Sequence, residues 1–190
     1  MPEVGALDGY RLVVFDADDT LRQTTVPGKP CPHGPEEWEL RPGVQEILQR
    51  VPWDGPSGPR MGLASNQDQV AYGLVSYEMA HRLLRDLAVA ATGSMPPEAA
   101  LQLCPHPFDA GCACRKPEPR MLLNIMEHYG VGPQDTLFVG NDEVDREAAA
   151  RAGVAFMWAA DLFGSTQQAY RRVMRAQKSA NSSTLLGGLV

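Results

Sequence analysis

No apolar run in this sequence approaches the eighteen or so residues that a membrane-spanning helix needs. The opening MPEVGALDGYRLVV also lacks the basic start and apolar stretch of a secretory leader. No membrane partner is therefore expected, and a cytoplasmic location follows by default. Positive charge is scarce: 17 Lys and Arg face 23 Asp and Glu, a net charge of −6. That balance argues against a broad electrostatic grip on nucleic acid, although a local basic patch stays open. Cysteines number only four, and Cys104, Cys112 and Cys114 crowd together while Cys31 stands apart. In a reducing compartment such clustering suggests metal ligation before disulfides. Internal repeats are missing too, apart from CPH at 31–33 and again at 104–106. What remains is ordinary: 190 residues, 44% hydrophobic and 21% charged, expected as one domain with a real core.

The stretch that organises the chain is RLVVFDADDTLR, residues 11–22. Leu12 to Phe15 is too short for a helix, and its valines favour a buried parallel strand. Asp16, Asp18, Asp19 and Thr20 then crowd the strand's C-terminal end, where open α/β sheets bind ligands. Residues 24–43, rich in Pro and Gly, read as a loop over that end. A short helix follows from Val44 to Val51, then a strand over Met61–Ala64 ending in Ser65-Asn66-Gln67. A long helical pattern covers 68–90, with Gly73 weakening its continuity. Residues 99–103 form a short strand-like run into the cysteine cluster. A helix over 118–129 stops at Gly130. Thr136–Val139 is another buried strand, a short helix from Glu147 to Ala152 stops at Gly153, and Val154–Trp158 is the last strand. Alternating strands and helices predict an α/β fold, a Rossmann-like, doubly wound parallel sheet with helices on both faces. The expected domain is residues 1–165, with a terminal helix over 166–178 and a mobile tail within 166–190.

Four strand ends carry polar residues: Asp16 and Asp18, Ser65 and Asn66, the Cys-rich loop with Lys116, and Asn141, Asp142 and Asp145. Phosphoryl transfer needs an in-line nucleophile, cations for the transferred group and a proton for the departing oxygen. Asp16 suits the nucleophile, since carboxylates form aspartyl-phosphate intermediates. Asp18 suits the general acid and base, while Ser65, Asn66 and Lys116 suit phosphate oxygens. A Mg²⁺ ion fits between Asp16, the Asp18 backbone carbonyl and an oxygen of the 141–145 loop. Against these readings, Ser65 and Asn66 also suit a helix cap, and Asp142 and Asp145 suit a helix N-terminus.

With those residues in view, the chain resembles the haloacid dehalogenase-like phosphatases. VVFDADDTL resembles their nucleophile motif, ASNQ at 64–67 the second, CRKP at 114–117 the lysine motif, and VGNDEVD at 139–145 the acidic fourth motif. SNQ, the CPH element and CRKP are most similar to subclass III, the histidinol-phosphate and heptose-bisphosphate phosphatase branch. The resemblance implies no large cap domain, Mg²⁺-dependent phosphomonoester hydrolysis through a phosphoaspartate, and water attack in a second step. Two departures stand out. Asp19 occupies a position where the branch usually has glycine, and Asn141 follows Gly140 where it usually has Asp. Asn141 through its amide oxygen, or Asp142 in its place, is then left to complete the Mg²⁺ set.

Cys104, His106, Cys112 and Cys114 form a four-ligand set suited to tetrahedral Zn²⁺. With every position filled by protein, its role would be structural, stapling the loop that carries Lys116. The same branch of phosphatases has a similar zinc loop. Cys31 and His33 form a second-ranked Cys-x-His pair. His81 and His128 read as ordinary helix residues, and Trp38, Trp53 and Trp158 as packing residues, with Trp38 also placed to line the substrate entrance.

The leading expectation is a phosphatase for a small phosphorylated metabolite: a sugar phosphate, a sugar bisphosphate or a histidinol-phosphate-like ester. A nucleic-acid 3′-end phosphatase, disfavoured by the acidic balance, and a catalytically weak phosphate- or protein-binding relative are the alternatives. Oligomeric state is not readable.

Overall fold

The computed structural model describes residues 4–55 and 58–164. Its frame is a five-stranded parallel sheet of β1 (Leu12–Phe15), β4 (Arg60–Asn66), β5 (Leu101–Cys104), β6 (Thr136–Gly140) and β7 (Ala155–Trp158), in the order β5-β4-β1-β6-β7. The central strand β1 is apolar and buried along its whole length because helices cover both faces. Val13, Phe15, Met61, Leu63, Leu137 and Val139 face one cluster, closed by α1 (Val44–Leu48), α2 (Tyr77–Thr92) and α5 (Ala159–Phe163). Leu12, Val14 and Phe138 face the other, closed by α3 (Arg120–Tyr129) and α4 (Glu143–Ala152). Burying each such large side chain stabilises the fold by about 1.5–3 kcal/mol. This is the doubly wound sheet expected.

Register places the site. Phe15 lies level with Leu63 of β4 and Val139 of β6. Asp16 therefore leaves the sheet beside Ala64 and Gly140, in the crevice where the chain switches from one side of β1 to the other. On the outer side, Asn66 is level with Cys104 of β5, so the cysteine loop starts next to the second polar strand end.

Several boundaries differ from the sequence reading. The 24–43 segment is not all loop. It contributes to an antiparallel hairpin of β2 (Arg22–Thr24) and β3 (Trp38–Leu40), whose three-residue strands are too short to show periodicity. The helix over 68–90 begins only at Tyr77, where the Ser76 hydroxyl accepts from the Met79 N–H. Ahead of it lie a 3-10 turn (Asp68–Val70) and Gly73 at φ +68°, a left-handed conformation that interrupts any helix. α4 starts at Glu143 rather than Glu147, because Asp142 caps it and Asp145 completes a capping box. The terminal helix and tail expected over 166–190 lie outside the described residues. Among those described, no helix is long and apolar enough to cross a membrane.

Candidate active site and metal centre

Asp16 is buried at the end of β1, its N–H bonded to the Val139 carbonyl. The ammonium of Lys116, also buried, lies 2.5 Å from Asp16 Oδ1, 2.8 Å from Asp145 Oδ1 and 2.8 Å from the Ala64 carbonyl. The contacts to Asp16 and Ala64 are hydrogen bonds, and that to Asp145 is an ion pair. Burial opposes the ammonium, yet the carboxylates of Asp145 and Asp16 outweigh it and hold Lys116 above its ordinary range. The nucleophile candidate responds the other way. Burial first, then Asp145 and Asp18, raise the Asp16 carboxyl to about 7 despite Lys116. Lys116 thus sits on the two carboxylates themselves.

On the other oxygen of Asp16, one hydroxyl serves two acceptors. Thr20 Oγ1 is 3.0 Å from Asp16 Oδ2 and 3.0 Å from Asn141 Oδ1. A hydroxyl has a single proton, so it satisfies one of these oxygens at a time. Two neighbouring hard oxygens sharing one proton fit a hard cation such as Mg²⁺, with Asn141 contributing through its amide.

The acidic loop after β6 divides its labour differently from the sequence expectation. Asp142, named there for the metal set, is exposed and accepts the Glu143 N–H at 2.6 Å as the helix cap. Asp145 instead turns into the site, 1% exposed, with Oδ2 accepting from the N–H groups of Asn141 and Asp142. Capping explains this: Asp142 is taken up as the N-cap of α4, whereas Asp145, in its first turn, folds back over the N–H groups of Asn141 and Asp142. Gly140 makes the packing feasible, since a Cβ there would lie 2.5 Å from the Asp145 Cβ.

The second strand end also differs in detail. Ser65 is buried and its hydroxyl accepts from Gln67 Nε2 at 2.8 Å. Asn66, expected on phosphate oxygens, instead has both ends of its amide on the backbone of Lys116. Its Nδ2 donates to the Lys116 carbonyl at 3.1 Å, and its Oδ1 accepts the Lys116 N–H at 2.9 Å. Asn66 therefore fixes the backbone at Lys116.

Asp18 is held by residues to which the sequence reading gave no role. Arg22 Nε donates to Asp18 Oδ1 at 2.8 Å, and Gln67 Nε2 donates to Asp18 Oδ2 at 2.6 Å. In the sequence Arg22 stands beside Gln23 and Thr24, and nothing there marks it as buried. Asp19 has φ +59°, the left-handed region that explains the usual glycine, and its carboxylate lies 3.5 Å from buried Arg41. The added carboxylate is thus turned toward an arginine.

The cysteine loop forms a four-ligand cage. Cys104 Sγ is 3.5 Å from Cys112 Sγ, 3.2 Å from Cys114 Sγ and 3.5 Å from His106 Nδ1. The remaining edges include 3.2 Å between His106 Nδ1 and Cys114 Sγ and 3.6 Å between Cys114 and Cys112. A tetrahedron with Zn–S bonds near 2.3 Å has sulfur–sulfur edges of about 3.8 Å, close to these values. Among the described residues this is the one group of its kind. Burial pushes the Cys104 thiol up to about 12. At Cys112 burial also opposes ionisation, but the Arg115 N–H and the sulfurs of Cys104 and Cys114 bring it down to about 7. Cys31 lies apart in the hairpin, its thiol pushed up to about 12 by burial and then by Asp18. Neither Cys31 nor His33 belongs to the cage.

Comparison with known proteins gives a consistent picture. Residues 33–153 match the family model for haloacid dehalogenase-like hydrolases. D-glycero-beta-D-manno-heptose-1,7-bisphosphate 7-phosphatase of Pseudomonas aeruginosa is 34% identical over 146 residues, covering 75% of this chain and 72% of that protein. The same-named protein of Pseudomonas putida is 36% identical over 121 residues, covering 62% of this chain and 66% of that protein. A crystal structure of D,D-heptose 1.7-bisphosphate phosphatase from B. bronchiseptica, complexed with magnesium and phosphate, superposes with a TM-score of 0.64 at 31% identity. That match covers 77% of this chain and 78% of the other.

Proposed function

The chain belongs to the haloacid dehalogenase-like hydrolases and is a phosphatase, and we propose that it removes the 7-phosphate of a heptose 1,7-bisphosphate or a closely similar sugar bisphosphate. The relatives named above support that substrate class. The observation that carries the chemistry is Asp16 at the end of the central strand, with Lys116 on one oxygen and the Thr20–Asn141 pair on the other.

In the proposed reaction, an oxygen of Asp16 forms a bond to phosphorus as the bond from phosphorus to the sugar oxygen breaks. The electron pair leaves with that oxygen, which takes a proton from Asp18. Water then attacks phosphorus, Asp18 takes its proton, and the Asp16–phosphorus bond breaks to regenerate the carboxylate. Lys116 holds Asp16 in place and offsets charge on the Asp16–Asp145 pair. Asn66 fixes Lys116 through its backbone, and Ser65 orients Gln67. Asp16, the Asp18 carbonyl and Asn141 would hold Mg²⁺, which supplies positive charge to the phosphoryl oxygens. Zn²⁺ in the four-ligand cage would be structural.

The test is phosphate release, with and without Mg²⁺, from heptose 1,7-bisphosphate, hexose phosphates, histidinol phosphate and a 3′-phosphorylated oligonucleotide. Mg²⁺-dependent loss of one phosphate from the heptose bisphosphate, with the highest kcat/KM of the panel, is expected. Turnover of the oligonucleotide alone would overturn the substrate class. A second expectation concerns Asn141. Replacing its neutral oxygen by a carboxylate in Asn141→Asp should tighten Mg²⁺ binding roughly 10-fold, read by calorimetry. Unchanged affinity would remove Asn141 from the metal set.

A further inference from the structure

Among the described residues, Arg22 is the largest side chain that is wholly buried, with 0% exposure. A charge taken out of water costs several kcal/mol, roughly, unless its partners satisfy it. Its partners come from separate parts of the fold. Nε and Nη2 reach Asp18 Oδ1 and Oδ2 at 2.8 and 3.4 Å, and Nη1 donates to the Leu83 carbonyl in α2 at 3.1 Å. The Trp38 ring of β3 lies 6.0 Å from its guanidinium carbon. The Arg22 backbone also closes the turn that carries Asp18: its N–H bonds the Ala17 carbonyl, and its carbonyl accepts from Asp19. Gln67 approaches the same carboxylate from β4's end. Asp18 itself keeps 19% side-chain exposure.

A guanidinium fork fixes a carboxylate's plane as well as its position, which an ammonium does not. An apolar side chain of similar size would commonly stabilise a buried site as well or better. The feature an arginine alone adds at this place is orientation of Asp18 against a frame built from α2 and the hairpin. We propose that Arg22 is a positioning residue that aims Asp18 at the leaving oxygen and so sets which leaving groups the phosphatase can expel. This rests on the reading of Asp18 as the proton donor of the first step.

A positioning role has a readout that general stability does not. Departure of p-nitrophenolate needs little proton donation, whereas departure of a benzyl alkoxide needs it fully. The value of kcat/KM reports the steps through leaving-group departure. In Arg22→Lys, which keeps charge and loses the fork, and in Arg22→Met, the ratio of kcat/KM for benzyl phosphate to that for p-nitrophenyl phosphate should fall about 100-fold from wild type. In an Asp18→Asn background, Arg22→Lys should leave that ratio where Asp18→Asn alone puts it. Equal losses on both esters, or an unchanged ratio, would overturn the proposal. If neither variant folds by thermal melting, Arg22 is a folding residue and the proposal falls as well. Absence of turnover in wild type on both esters would instead count against the phosphatase reading beneath it.

Discussion

Asp16→Asn should lower phosphate release by on the order of 10⁵-fold, because the amide oxygen cannot serve as the nucleophile. The same variant should fold at least as well as wild type, and the sign follows from linkage. The Asp16 carboxyl is raised from 3.8 to about 7, by burial and then by Asp145 and Asp18 against the pull of Lys116. A raised acid favours the folded state fully below 3.8 and loses that contribution as pH climbs to about 7. Above about 7, without metal, the charged carboxylate is a liability in the native state, and asparagine removes it. At pH 8 and without added metal, the melting temperature of Asp16→Asn is therefore expected to equal or exceed that of wild type. Lys116 keeps Asp145 and the Ala64 carbonyl as partners in the variant. A variant that is inactive but also melts far lower would mean that Asp16 serves the fold first. Wild-type protein should regain stability at pH 8 when Mg²⁺ is added, since a cation on Asp16 reverses the cost of its charge.

Stripping metal from the four-ligand cage proposed to hold Zn²⁺ should be nearly as damaging, through a different route. Lys116 follows the cage ligand Cys114 by two residues and reaches the site only because the loop turns back beside β4. With Cys104, His106, Cys112 and Cys114 released from a common ion, the Asn66 amide and the Arg115–Asp68 ion pair are left to tie that stretch down. Losing Lys116 from the interior would leave Asp16 and Asp145 facing each other unpaired, a change that costs about 3–5 kcal/mol. Cys114→Ser, or a strong chelator, should lower kcat/KM by more than about 100-fold. With Mg²⁺ supplied in excess after chelation, activity should return only when Zn²⁺ is also added. Uptake of zinc should release protons and strengthen with pH, because the Cys104 thiol stands at about 12 and Cys112 at about 7 before the ion binds. Full activity with the cage empty of metal would detach the loop from catalysis.

The parts of this site that were legible in the sequence share one property: they follow short apolar strands. Leu12–Phe15, Met61–Ala64 and Thr136–Val139 announce themselves by composition, and the residues just beyond each then gather at the strand-end crevice. The cysteine cage is legible for a related reason, being four ligands within one loop. The choice between Asn141 and Asp142 was harder, since it depends on where α4 begins, and helix starts shift with capping. Asn66 was open to phosphate binding or to capping the next helix, and its bonds to the Lys116 backbone depend on a loop fifty residues away in sequence. Arg22 was hidden because burial of a charge depends on partners distant in sequence: its guanidinium meets Leu83, 61 residues away. The hairpin of β2 and β3 was hidden by shortness, its strands offering three residues each.

The most direct test is to find where the phosphoryl group goes. Enzyme in steady turnover on its best substrate is quenched in acid and reduced with borohydride, which converts an aspartyl phosphate to homoserine, and the peptides are mapped by mass spectrometry. Homoserine at position 16, present only with substrate and lost with Asp16→Asn, is the expected result. Turnover with no reduced residue at 16, or with the label at Asp18 or Asp145 instead, would contradict covalent catalysis by Asp16.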